Sequence, residues 1–119
     1  MSEGIRVLIV DDQPRARQSL RALLATMPEI GEVREAEGGM QAVESVSRSG
    51  ADVVLMDVIM PELDGLQATR MIKQERPDIR VVILTLYPEF RQAALEAGAD
   101  GFVTKEGPSQ ALFEALLNK

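Results

Sequence analysis

The chain has 119 residues, 45% of them hydrophobic, and 13 basic against 19 acidic side chains give a formal charge of −6. That length and apolar content suit one compact domain and exclude a disordered tail or a coiled coil, while arginines scattered from Arg6 to Arg91 supply no basic stripe for nucleic acid. With no Cys and no His, disulfides, thiolate chemistry and the usual zinc ligands are excluded; with neither a signal peptide nor a membrane-length apolar run, the reading is a cytoplasmic chain with no membrane partner.

Short apolar runs alternate with segments of helical spacing. Ile5–Val10 reads as a buried strand. Pro14 suits a first helical turn, and Ala16, Leu20, Leu23, Leu24 and Met27 mark the helix behind it. Glu32–Ala36 is a weaker, mixed run, expected at a sheet edge. Gly38-Gly39 reads as a loop before a second helix marked by Val43 and Val46. Asp52–Met56 is a second continuous apolar strand, and Leu66, Thr69, Met71 and Ile72 mark the third helix. Arg80–Leu84 is the fourth strand. Phe90, Ala93, Ala94 and Ala97 mark a helix ending at Gly98. Gly101–Thr104 is expected at the other edge, and Pro108-Ser109 opens a last helix carrying Leu112, Ala115 and Leu116. Apolar strands need cover on both faces, so five β-α units predict a doubly wound α/β sheet with right-handed crossovers.

In such a sheet, sites lie beyond the carboxyl ends of the strands. Those positions hold Asp11-Asp12, Asp57, Thr85 and Lys105. Carboxylates gathered together repel unless a cation sits among them. An all-oxygen set with open positions suits Mg²⁺, and an added hydroxyl and ammonium suit phosphoryl transfer, with a carboxylate as nucleophile. The plainer readings are that Asp12 caps the first helix and that Asp57 shapes the turn toward Pro61. No glycine-rich turn follows the first strand and no GxxxxGK[ST] motif occurs, so nucleotide-phosphate schemes fit badly.

Val10-Asp11-Asp12, Met56-Asp57 with Met60-Pro61 and Asp64-Gly65, Leu84-Thr85, and Gly98-Ala99-Asp100-Gly101-Phe102 leading to Lys105 resemble the receiver domain of two-component response regulators. The details are most similar to the NarL/FixJ-like group, whose receivers precede a helix-turn-helix DNA-binding domain. The resemblance implies one receiver domain over residues 1–119. It also implies flavodoxin-like strand order 2-1-3-4-5, five helices on both faces, and a C-terminal output domain absent from this chain.

It further implies that Asp57 accepts a phosphoryl group from a sensor histidine kinase or a small donor such as acetyl phosphate. Asp12 and Asp57 would ligate Mg²⁺ directly, Asp11 through water, and the Ile59 backbone carbonyl would complete the set. Thr85 would hydrogen-bond the phosphoryl group, Lys105 would pair first with Asp57 and then with the phosphoryl oxygens, and Phe102 would turn inward as Thr85 moves. The implied output is a switched homodimer or output-domain surface regulating transcription, with DNA reached only through the missing domain.

Some positions depart from the family pattern. Glu106-Gly107 separate Lys105 from Pro108, Leu86 stands where a small residue is usual and narrows the approach to Asp57, and Ile59 is apolar. The Thr85–Lys105 stretch is short. The last helix is apolar on several sides, which reads either as ordinary packing or as an interface including Leu86, Tyr87, Phe90 and Phe113. Two other functions stay open: a small Mg²⁺-dependent aspartyl phosphohydrolase, and a receiver-like interaction module that is not phosphorylated.

Overall fold

The structure is a computed structural model that describes residues 4–117. Strands β1 (Ile5–Val10), β2 (Ile30–Ala36), β3 (Val53–Met56), β4 (Arg80–Thr85) and β5 (Gly101–Thr104) form one sheet in the order β2-β1-β3-β4-β5, and every pairing is parallel. Helices α1 (Pro14–Leu24), α2 (Gly39–Ser49), α3 (Gly65–Glu75), α4 (Arg91–Glu96) and α5 (Ser109–Leu117) alternate with them. This is the expected doubly wound fold, with the two mixed runs at the edges.

Period-two alternation in the central strands splits the core in two. Leu8, Val10, Val54, Met56, Val81 and Ile83 pack against Ala42, Val46, Ala68, Ile72 and Ala94, so α2, α3 and α4 cover one face. Val7, Ile9, Val53, Leu55, Val82 and Leu84 pack against Leu24, Met27, Leu112 and Leu116, so α1 and α5 cover the other. Both sets are buried almost completely. Truncating one of these, such as Leu55→Ala, costs about 2–5 kcal/mol through lost transfer energy and the cavity left behind.

Several boundaries differ from the sequence reading. β2 starts two residues earlier, at Ile30. β3 starts at Val53, because Asp52 turns its carboxylate back onto the Arg6 backbone N–H at 2.9 Å. Met71 faces solvent, and α3 buries Ala68, Thr69 and Ile72 instead. α4 has only six residues behind a 3₁₀ turn at Pro88–Phe90. In α5, Leu112 and Leu116 are buried, while Ala111, Phe113, Ala115 and Leu117 pack partly onto the same core. Ordinary packing therefore accounts for most of that helix's apolar surface. Phe113 shares a cleft with Thr26, Met27 and Pro28, whereas Leu86 and Tyr87 rim a different one, so the four residues read as one interface divide between separate places.

Register positions the functional residues. Val10 pairs with Met56, Met56 with Ile83, and Thr85 with Thr104. Asp11, Asp57 and Lys105 each follow one of these paired ends directly, so they emerge together at the carboxyl-terminal end of the sheet.

Candidate metal and phosphoryl centre

Asp11 is buried to 1% exposure and fixed from several sides. Its N–H donates to the Ala36 carbonyl at 3.2 Å, its Oδ1 accepts from the Gln13 N–H at 2.9 Å, and its Oδ2 accepts from Lys105 Nζ at 3.1 Å. Asp57 leaves β3 with its N–H on the Val10 carbonyl, 3.0 Å, and its Oδ1 takes the Val58 N–H at 2.9 Å. Asp57 therefore helps shape the turn after β3 with one carboxylate oxygen. The other, Oδ2, lies 3.6 Å from Lys105 Nζ. Asp12 is not the cap of α1: that position is Gln13, without a side-chain cap bond. The helix cap near the site is Asp64, whose Oδ1 accepts from the Gln67 N–H at 2.9 Å and starts α3.

One carboxylate oxygen from each of Asp11, Asp12 and Asp57 lies within 4.8 Å of the others. Burial raises the Asp57 carboxyl to about 6; the positive charge of Lys105 opposes this, the negative charge of Asp11 adds to it, and the Val58 N–H works against it. Lys105 thus outweighs the negative charge of Asp11 but does not offset the cost of burying the carboxylate. An all-oxygen, partly open set of this kind fits a hard divalent cation such as Mg²⁺.

These residues floor a cleft of about 500 Å³, which Thr85, Ile59, Met60, Leu86 and Tyr87 also line. Thr85 is 1% exposed, and its hydroxyl accepts from the Tyr87 N–H at 3.3 Å. Lys105 is tied to β4 through its own N–H on the Thr85 carbonyl, 2.8 Å. Ile59 and Leu86, 55% and 48% exposed, form an apolar rim above the acidic floor. Phe102 stands apart from the cleft. It packs partly on the first core, and the Arg91 guanidinium carbon lies 4.7 Å from its ring centre, a cation–π distance.

Gly65 brings α3 against the site. Its N–H donates to the Val58 carbonyl at 2.8 Å, and a Cβ there would collide with the Asp57 carbonyl oxygen. Arg17 was read from sequence only as one of many scattered arginines. Its Nη1 donates to the Asp11 carbonyl at 2.7 Å and its Nε to Glu35 at 2.8 Å. The only local hint was its place one turn into a helix that begins just after Asp11-Asp12.

Fold and cleft together define a class of protein: an open parallel α/β domain with an acidic centre, a lysine and a buried hydroxyl at the carboxyl ends of its strands. A family model for the response regulator receiver domain matches residues 7–117. The chain belongs to that family. It is 37% identical over 114 residues to the transcriptional regulatory protein DegU of Brevibacillus brevis, covering 94% of this chain and 48% of that protein. A two-component response regulator of the LuxR family from Aurantimonas sp. SI85-9A1 superposes with TM-score 0.89 at 33% identity, covering 98% of this chain and 87% of that one. The response regulator TrrA from Thermotoga maritima, in complex with Mg²⁺-BeF, superposes with TM-score 0.88 at 29% identity over 96% of this chain and 97% of that one. The chain spans about half the length of the curated relatives it matches. Among the described residues no helix is long and apolar enough to cross a membrane.

Proposed function

We propose that this receiver domain is a switch operated by Mg²⁺-dependent phosphorylation of Asp57. The observation that carries the reading is the gathering of Asp11, Asp12 and Asp57 beside Lys105. Asp12 and Asp57 would hold the ion directly, Asp11 through water, and the Ile59 carbonyl would complete the protein ligands. When bound, Mg²⁺ supplies positive charge against the carboxylates and the incoming phosphoryl oxygens. Asp57 Oδ2, free of the Val58 N–H, attacks phosphorus; the P–N bond of a kinase phosphohistidine, or the P–O bond of acetyl phosphate, breaks and the leaving group departs with its electron pair. With its carboxyl near 6, Asp57 is mostly ionised at neutral pH and can act as the nucleophile. Lys105 then balances the new charge from the Asp11 side, and the Thr85 hydroxyl, whose oxygen accepts from the Tyr87 N–H, donates its O–H to a phosphoryl oxygen, drawing the β4 end inward. Repacking of Phe102 would carry that movement to the surface.

The domain would receive its group from a sensor histidine kinase and pass the change to a second copy or to an output domain. The similarity to DegU and to LuxR-family regulators supports transcription control through a DNA-binding part beyond residue 119, and a cytoplasmic location goes with it. No substrate pocket is called on, so the chemistry is that of a self-modifying switch rather than a turnover enzyme. Incubation with Mg²⁺ and acetyl phosphate should add the mass of one phosphoryl group to the wild type and none to Asp57→Asn. Equal labelling of that variant would remove Asp57 as the acceptor.

A further inference from the structure

We infer that Arg17 is a positioning residue for the cation site, aiming the Asp12 carboxylate by gripping the Asp11 carbonyl from behind; this rests on the Mg²⁺ reading above. Among the described residues no hydrogen bond or ion pair fixes the Asp12 side chain, so its direction depends on the backbone that carries it. The Asp11–Asp12 peptide is that backbone. Arg17 Nη1 holds its oxygen at 2.7 Å.

The grip is itself braced. Arg17 Nε donates to Glu35 Oε1 at 2.8 Å, and the other oxygen of Glu35 is taken by Arg21 Nε at 2.7 Å. Glu35 therefore bridges two turns of α1 to the end of β2, directly beside Ala36, whose carbonyl receives the Asp11 N–H. The Arg17 side chain is only 11% exposed, so little water competes for these bonds. A guanidinium holds the carbonyl and the carboxylate through separate nitrogens of one rigid plane, whereas an ammonium would have to reach both from a single nitrogen.

Two effects of removing Arg17 have opposite signs, which makes the inference testable. If Arg17 acted only as a nearby positive charge, its loss would tighten cation binding by reducing repulsion. If it positions the peptide, its loss loosens Asp12 and weakens binding. Outer-shell partners of metal ligands typically change affinity by about 10–100-fold; a solvent-facing Mg²⁺ site belongs at the lower end.

The experiment is calorimetric titration of Mg²⁺ alone into the wild type, Arg17→Ala, Arg17→Lys and Glu35→Gln at neutral pH, with thermal unfolding of each metal-free protein beside it. Positioning predicts a roughly tenfold weaker Kd for Arg17→Ala, with Arg17→Lys between it and the wild type and Glu35→Gln weakened in the same direction by less. A lower melting temperature with an unchanged Mg²⁺ Kd would reduce Arg17 to a structural tie and overturn the inference, and so would tighter binding. Should Arg17→Ala not fold, wild-type affinity in both Arg17→Lys and Glu35→Gln overturns it equally. A wild type that takes up no Mg²⁺ would sink the cation reading itself, and this inference with it; wild-type uptake with unaffected variants sinks the inference alone.

Discussion

Lys105 Nζ sits closer to Asp11 than to Asp57, 3.1 Å from Asp11 Oδ2 and 3.6 Å from Asp57 Oδ2. The family resemblance implies a first pairing with Asp57. In the structure the lysine serves both, and favours the more deeply buried carboxylate, where an unbalanced charge is costlier. Replacing it by Met keeps the stem and removes the charge. Lys105→Met should lose about 1–2 kcal/mol of metal-free stability, discounted from a fully buried pair because the lysine is partly exposed. Mg²⁺ should restore most of that loss. Urea unfolding with and without Mg²⁺ checks both halves, and equal losses in the two conditions would contradict the shared-charge account.

Burial makes Asp57 a pH-dependent liability in the metal-free protein. Its folded carboxyl titrates at about 6, above the ordinary 3.8. The folded state therefore favours the protonated form: the stability it contributes is present in full below the ordinary value and is lost as pH rises through about 6. The shift corresponds to about 3 kcal/mol at most. Asp57→Asn should be more stable than the wild type at pH 7 by up to that amount, with the difference vanishing near pH 4. A stability gap that stays constant across that range would refute the burial account.

Gly65 should tolerate no side chain. Gly65→Ala places a methyl group on the Asp57 carbonyl oxygen, so α3 or the Asp57–Val58 segment must move. The expected loss is about 2–4 kcal/mol, typical of forced backbone displacement in a packed site. Gly38→Ala is the control, since nothing lies within 4 Å of a Cβ there; its cost should stay within about 1 kcal/mol, that of a poorer helix cap. Thermal unfolding of the two variants side by side is the measurement.

Leu86 rims the cleft and is half exposed, so trimming it should change access more than stability. Leu86→Ala should cost less than about 1 kcal/mol and raise the rate of Asp57 labelling by acetyl phosphate several-fold. An unchanged rate, followed by intact-mass measurement over time, would mean that the apolar rim does not limit approach.

Much of this molecule was legible in one dimension. Strand runs such as Ile5–Val10 and Arg80–Leu84 are continuous because both sheet faces are covered, and the weak runs at the edges are weak because one flank is open. With strand ends located, the topology of a parallel sheet says where Asp11, Asp12, Asp57, Thr85 and Lys105 must emerge. Met71 was misplaced because its helical spacing fits either face, and only packing of α3 on the sheet decides between them.

What the tertiary structure alone decided is how those residues hold one another. The choice of Lys105 between two carboxylates, the burial that raises Asp57, the contact of Gly65 with the Asp57 carbonyl and the Glu35–Arg17–Asp11 chain all depend on how separate elements pack together. Periodicity and spacing record which face of its own element a residue occupies. They carry no record of distances to residues on other elements, and those distances set the charge balance and the aim of the site.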